Sequence, residues 1–254
     1  MLSISSVELD AWLAAFLFPF FRFAALLQTA PVTSHVSVPR RVRLGLALLL
    51  TIVVAPTLPP VAAGSPFTAT GLLLIVEQLA IGFAIGFTMQ LAFAAVTLAG
   101  DLIGLQMGLS FASLMDPAHN DQVPLVGAFL SLVLTLAFLA MNGHLLLVTA
   151  LVHTFEAFPI SADALARLDW RHLAQGATVI FAAGFAIALP AVAALLVASL
   201  ALGVLTRTAP QLNLFAVGFP LTLGIGILML FLAMPFTLPA MEGVVNAMFA
   251  FLPR

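Results

Sequence analysis

Five stretches of this 254-residue chain run 23 to 35 residues with no Asp, Glu, Lys or Arg. They are Leu44 to Val76, Gln78 to Gly100, Gln122 to Phe155, His172 to Thr206 and Thr208 to Met241. Crossing a hydrocarbon core of roughly 30 Å takes about 20 apolar residues in a helix. Only 7% of the residues are charged, where a soluble chain carries about a quarter. No soluble domain of useful size can be cut from it. We read the chain as an all-α integral membrane protein.

Composition excludes several function classes. The net charge is −2, with no basic patch of the kind a nucleic-acid partner requires. The absence of Cys removes disulfides, thiolate metal sites and cysteine nucleophiles. His35, His119, His144, His153 and His172 show no metal-ligand spacing on one helix face, so no metal and no cofactor is expected. No basic region precedes the first apolar run, so that run is expected to stay in the mature chain.

Six apolar segments emerge, at about 11–31, 43–63, 71–115 with an interruption near Asp101, 123–152, 173–205 and 212–240. Several exceed a simple span: 34 helical residues reach about 50 Å. Such segments either tilt or break. Pro190 in the fifth and Pro220, Pro235 and Pro239 in the sixth favour breaks. A broken helix survives in lipid only where protein neighbours satisfy the freed carbonyls. That points to a subunit packed among partners. The topogenic charges are balanced, with Arg40, Arg41, Arg43 and Arg207 on one side and Arg167, Arg171 and Arg254 on the other.

Gly100, Gly104 and Gly108 fall four apart, as do Gly82 and Gly86. These small-xxx-small surfaces let a second helix approach closely, either from a partner subunit or from the same chain. Arg22, Glu77 and Asp101 are ionisable residues within apolar segments, where a charge must be paired or face water. They serve an ion-coupled carrier, or else a structural ion pair, with Arg22 able to snorkel and Asp101 standing at a segment break. Ser110 and His144 do not make a serine-protease pair, because Phe111 replaces the Gly that such a nucleophile needs after it. Met234, Met241 and Met248 recur every seven residues, but Pro235 and Pro239 argue for irregular packing rather than a seam.

The segment Leu109 to Gln122 joins an apolar half, Leu109 to Met115, to a polar turn, Asp116 to Gln122. Pro117 opposes a continuous helix through Asp116. An apolar loop hung from a polar turn suits a plug in a water-filled conduit, with Leu109, Phe111, Leu114 and Met115 as the constriction and Asp116 opening the turn. The same pattern also suits a short re-entrant connector. The link Arg207-Thr-Ala-Pro210-Gln211-Leu-Asn213, running on to Pro220, is expected to set the angle between the last two long segments.

Four strings carry a family resemblance. Val38-Pro-Arg40-Arg41-Val-Arg43-Leu-Gly45 is the first, and Asp101-Leu-Ile-Gly104-Leu-Gln106-Met-Gly108-Leu-Ser-Phe111-Ala, continuing to Asp116-Pro117 and Asn120-Asp-Gln122-Val-Pro124, is the second. Asn142-Gly143-His144 and Arg207-Thr-Ala-Pro210-Gln211-Leu-Asn213-Leu-Phe215, with Gly218-Phe-Pro220, complete the set. Together they resemble the FliR family of flagellar type III secretion export-gate membrane proteins, along 38–220. The stretch Pro31-Val-Thr-Ser-His35 departs from the pattern by lacking a Gly soon after the proline.

The resemblance implies a non-enzymatic subunit of the flagellar protein export gate, at the basal body in the bacterial inner membrane and protruding to the periplasmic side. It implies Pro-broken helical hairpins packed in a hetero-oligomer with FliP- and FliQ-like subunits, an FlhB-like subunit outside, and unfolded substrates passing through. Residues 1–172 correspond to a FliP-like unit carrying the candidate plug loop 109–122, and 173–254 to a FliQ-like hairpin. The homologous subunit of a virulence type III system shares this fold and role. A secondary transporter using Arg22, Glu77 and Asp101 is the alternative from another class, although the related halves typical of such carriers are not detectable here.

Overall fold

The chain is described by a computed structural model over residues 6–58, 66–109, 124–161, 169–208 and 218–252. Among these residues the regular structure is helical, with no strand. The elements are α1 (Ser6–Thr29), α2 (Arg40–Val54, continued by a 3-10 turn Ala55–Thr57), α3 (Ala69–Gln106), α4 (Leu125–Ala140), α5 (Gly143–Ala157), α6 (Trp170–Gly176), α7 (Thr178–Thr208) and α8 (Phe219–Ala250). Four helical stretches are long and apolar enough to span a membrane, or five if the bent pair α4–α5 counts as one.

Local chemistry sets several of these ends. The Thr68 hydroxyl accepts the Gly71 N–H at 3.1 Å and caps α3; the Asp169 carboxylate accepts the Arg171 N–H at 3.0 Å and caps α6. α3 closes at Gly108, whose φ of 84° is left-handed. There the Leu109 N–H donates to the Gly104 carbonyl at 3.1 Å and the Gly108 N–H to the Leu105 carbonyl at 3.0 Å, the paired bonds of a Schellman end.

Three expectations about continuity are corrected. α3 runs unbroken through Asp101, so that residue does not stand at a break. α7 runs through Pro190, and α8 through Pro235 and Pro239, with Pro220 in its first turn. A proline removes one N–H and crowds the carbonyl four residues back, which can kink a helix without ending it. With α8 continuous, Met241, Val245 and Met248 lie on one face and are all fully buried. The break that does occur falls inside the expected 123–152 segment. Asn142 adopts φ 56°, and α4 and α5 are bent by 64° across it.

Two compact units divide the chain. The first comprises Met1–Gln90, Leu139–Gly176 and Met248–Arg254, the second Leu91–Phe138 and Ala177–Ala247. In the first, α1 and α3 bury Phe18, Phe23, Leu26, Ile81 and Ile85, and α2 packs on α1 with Ala47 and Thr51 inward. The turn before α2, the one without the expected Gly, is held by Arg43. Its guanidinium donates to the carbonyls of Ser34 (3.1 Å) and His35 (2.8 Å) and to Gln28 Oε1 (3.2 Å). In the second, α3 and α4 meet through Gly100 and Gly127, and Phe93 stands edge-on to Phe138. Only 6% of the most apolar window of α8 is buried, against 56% for α3. A surface that apolar is stable only against lipid or partner protein.

Candidate functional site

The candidate site is the end of α3 and the start of α4, which flank residues 110–123 in the sequence. Of the residues expected to form a plug, Leu109 lies at the end of α3, whereas Phe111, Leu114, Met115 and Asp116 lie outside the described residues. Gly108 is not part of a helix face, as the four-residue spacing had implied. It takes the left-handed position that ends α3, where a Cβ would be strained. Leu109 follows it and lies back over Gly104.

Below that end, α3 and α4 are in backbone contact. A Cβ on Gly100 would meet Gly127 Cα, with the Gly127 N at 2.6 Å and the Val126 carbonyl carbon at 2.8 Å. Gly104 faces Val126 at ordinary contact distance. Gly127 lies against the Asp101 carboxylate, and Thr97 and Ser131 share a hydrogen bond at 2.8 Å one turn further on. Asp101 Oδ1 is buried with no hydrogen-bond partner among the described residues. The end of α3 is braced by α8: the Thr222 hydroxyl donates to the Met107 carbonyl at 3.2 Å, and the Met107 side chain lies against Gly226. The end of α3 and the start of α4 are thus held by glycine contacts and carbonyl bonds.

The other two ionisable residues of the apolar segments, Arg22 and Glu77, sit in the first unit. Arg22 is fully buried, so it does not snorkel. Its Nε donates to Gln78 Oε1 at 2.8 Å, Nη1 to the Thr154 hydroxyl at 3.2 Å and Nη2 to the Phe158 carbonyl at 3.0 Å. The guanidinium also lies 3.9 Å from the centre of the Phe155 ring. One side chain of α1 therefore binds α3, α5 and the carbonyl just beyond the α5 C-terminus, where a cation suits the helix dipole. Glu77 is also buried in this unit. Gly82 and Gly86 serve the same packing. A Cβ on Gly82 would meet the Arg22 carbonyl oxygen and, at 2.9 Å, the Ala25 Cβ; one on Gly86 would meet the Thr29 hydroxyl and, at 3.0 Å, the Ala30 N. Glu77 and Asp101 belong to different units.

Of the link residues, Arg207 is exposed in the last turn of α7 and Pro220 is exposed in the first turn of α8, while Pro210, Gln211 and Asn213 lie outside the described residues. Sequence reasoning missed Gln78 and Thr154 as partners of Arg22, and Gly127 as the counterpart of Gly100. Gln78 had a signal, being a second polar residue beside Glu77 in an apolar run. The bend at Asn142 was missed as well, although Asn142-Gly143 is a turn dipeptide.

The chain is similar to known proteins along most of its length. The family model described as bacterial export proteins, family 1, matches residues 13–248. The flagellar biosynthetic protein FliR of Escherichia coli (strain K12) is 44% identical over 250 residues, covering 98% of this chain and 95% of the relative. FliR of Pectobacterium carotovorum subsp. carotovorum is 41% identical over 98% of this chain and 95% of its own length. FliR of Bacillus subtilis (strain 168) is 33% identical, covering 87% of this chain and 86% of the relative.

Proposed function

The chain belongs to the bacterial export proteins of family 1, among the FliR proteins of flagellar biosynthesis, and from that membership we propose that it helps to form and close the channel through which unfolded flagellar substrates leave the cell. It acts without catalysing a reaction, in the inner membrane at the basal body, protruding to the periplasmic side. It is built together with FliP- and FliQ-like subunits, and an FlhB-like subunit lies outside them. Residues 1–172 play the FliP-like part in this assembly and residues 173–254 the FliQ-like part.

The observation that carries the reading is the frame at 104–109 and 124–127. A closing element must move or deform while its ends stay put. Here one end is a Schellman turn and the other enters a helix whose Gly127 touches Gly100. Between them lie Phe111, Leu114 and Met115, apolar side chains able to dewet a constriction and, in the case of Met, to repack around passing chains. The 6% burial in α8 supports a partner-covered subunit.

Deleting Phe111 to Met115 is expected to leave the complex assembled but leaky to ions. The check is membrane conductance, or growth under salt stress, with the mutant assembly present and its subunits quantified after mild detergent extraction. A complex that assembles at native level and keeps the membrane tight shows that the loop is not the plug. Expression of the chain with and without the FliP- and FliQ-like subunits tests the assembly itself. A monodisperse, well-folded monomer obtained alone counts against it.

A further inference from the structure

From Ala11 to Val76 the chain carries four arginines and no carboxylate, although it is net −2 overall. Two of the four are engaged internally: Arg22 in the buried cluster and Arg43 in the turn before α2. Arg40 and Arg41 are exposed at the start of α2. A cation in the first turn opposes the helix dipole, so these two side chains do not serve the helix that carries them.

α2 has 15 residues and is about 22 Å long, too short to cross the hydrocarbon core. Its inner side is Ala47 and Thr51. The opposite side exposes Val42, Leu48, Leu49, Ile52 and Val53, each between 43% and 71% accessible. Helical spacing puts Arg41 at the head of that exposed side, while Arg40, seven residues before Ala47, stands at the head of the inner side. Along the axis the order is therefore two exposed cations, then an apolar stretch from Leu44 to Val54 with no charge.

We propose that this exposed side of α2 docks on anionic phospholipid, with Arg41 at the level of the phosphates, Arg40 reaching them from the helix end, and the exposed apolar side chains between Leu44 and Val54 in the hydrocarbon beneath. A bilayer offers anion and then hydrocarbon within one helix length, in the order α2 presents them. An acidic protein surface would answer the two arginines but not the five apolar side chains behind them. Each arginine near an anionic lipid surface strengthens attachment by about fivefold at low salt, so the pair favours an anionic over a zwitterionic lipid by about tenfold or more. This inference requires a membrane location and not the export role, so either can fail without the other.

The test uses the full chain co-expressed with its partner subunits and reconstituted in nanodiscs of phosphatidylcholine and phosphatidylglycerol at 7:3. After extraction in mild detergent, the retained lipids are counted by native mass spectrometry. The native assembly is expected to retain phosphatidylglycerol over phosphatidylcholine by about tenfold, and more weakly at high salt. Arg40→Gln/Arg41→Gln is expected to lose at least fivefold of that preference, while Arg171→Gln, an exposed arginine on α6, keeps it. Arg40→Lys/Arg41→Lys should keep both preference and assembly, because a lipid surface takes point charges and does not need the planar fork of arginine. Two results overturn the proposal: an unchanged lipid preference in the glutamine variant, with or without loss of a partner subunit, or loss of the preference in the lysine variant. Loss of a partner subunit with unchanged lipids would assign the face to protein instead.

Discussion

Replacing Arg22 with methionine is expected to destabilise the first unit by about 3 kcal/mol or more. The substitution fills much of the same volume but leaves Gln78 Oε1 and the Phe158 carbonyl buried without their donor. An orphaned buried acceptor costs about 1–3 kcal/mol, more where the lost donor was charged. At about 2–4 °C per kcal/mol for a chain of this size, the melting midpoint of the purified assembly should fall by about 6–12 °C. Arg22→Lys should lie between the two, since one ammonium cannot reach three acceptors on α3, α5 and the following turn at once. Thermal unfolding of the co-expressed, detergent-extracted complex checks both. If Arg22→Met melts with the native chain, the cluster does not hold α1, α3 and α5 together.

Gly100 and Gly45 should respond with opposite signs to the same substitution. At Gly100 a methyl group meets backbone atoms of Val126 and Gly127, which cannot turn aside as a side chain can. The helices must part, and overpacking of this kind costs about 1–3 kcal/mol. Gly100→Ala/Gly127→Ala should be worse than either single change, because both occupy one crossing. Around Gly45 nothing lies within 4 Å, so Gly45→Ala should be neutral or stabilise α2 by up to about 1 kcal/mol. Quantifying the chain in membranes, together with its yield in the assembly, measures the pair. Equal behaviour of the two alanine variants would show that the α3–α4 crossing is not close-packed in the assembled protein.

Much of the fold was legible in one dimension because lipid imposes a length rule and a charge rule at once. Charge-free stretches located most of α7 and α8 and the middle of α3, whereas α2 begins at Arg40, ahead of the apolar segment expected from residue 43. What misled was proline. Pro190, Pro235 and Pro239 read as breaks, yet the helices continue through them. Each costs one hydrogen bond, and the remaining bonds of a 31- or 32-residue helix carry it past the defect. The break that exists depends on Asn142 tolerating a left-handed backbone before Gly143, a two-residue signal easily lost inside a long apolar run.

By itself the sequence determined that the chain is helical, membrane-embedded and a member of an export family. Those properties follow from residue types and their order along the chain. Only the tertiary structure decided which small residues touch and which polar groups meet. Gly100 meets Gly127 of the same chain, and Arg22 finds Gln78, Thr154 and Phe158 across 56 to 136 residues of chain. The physical reason is that apolar helices in lipid gain little by choosing one face over another. Their partners are selected by close backbone approach and by the need of each buried donor for an acceptor. Both are properties of three-dimensional neighbours, and neither has a period that a linear pattern can reveal.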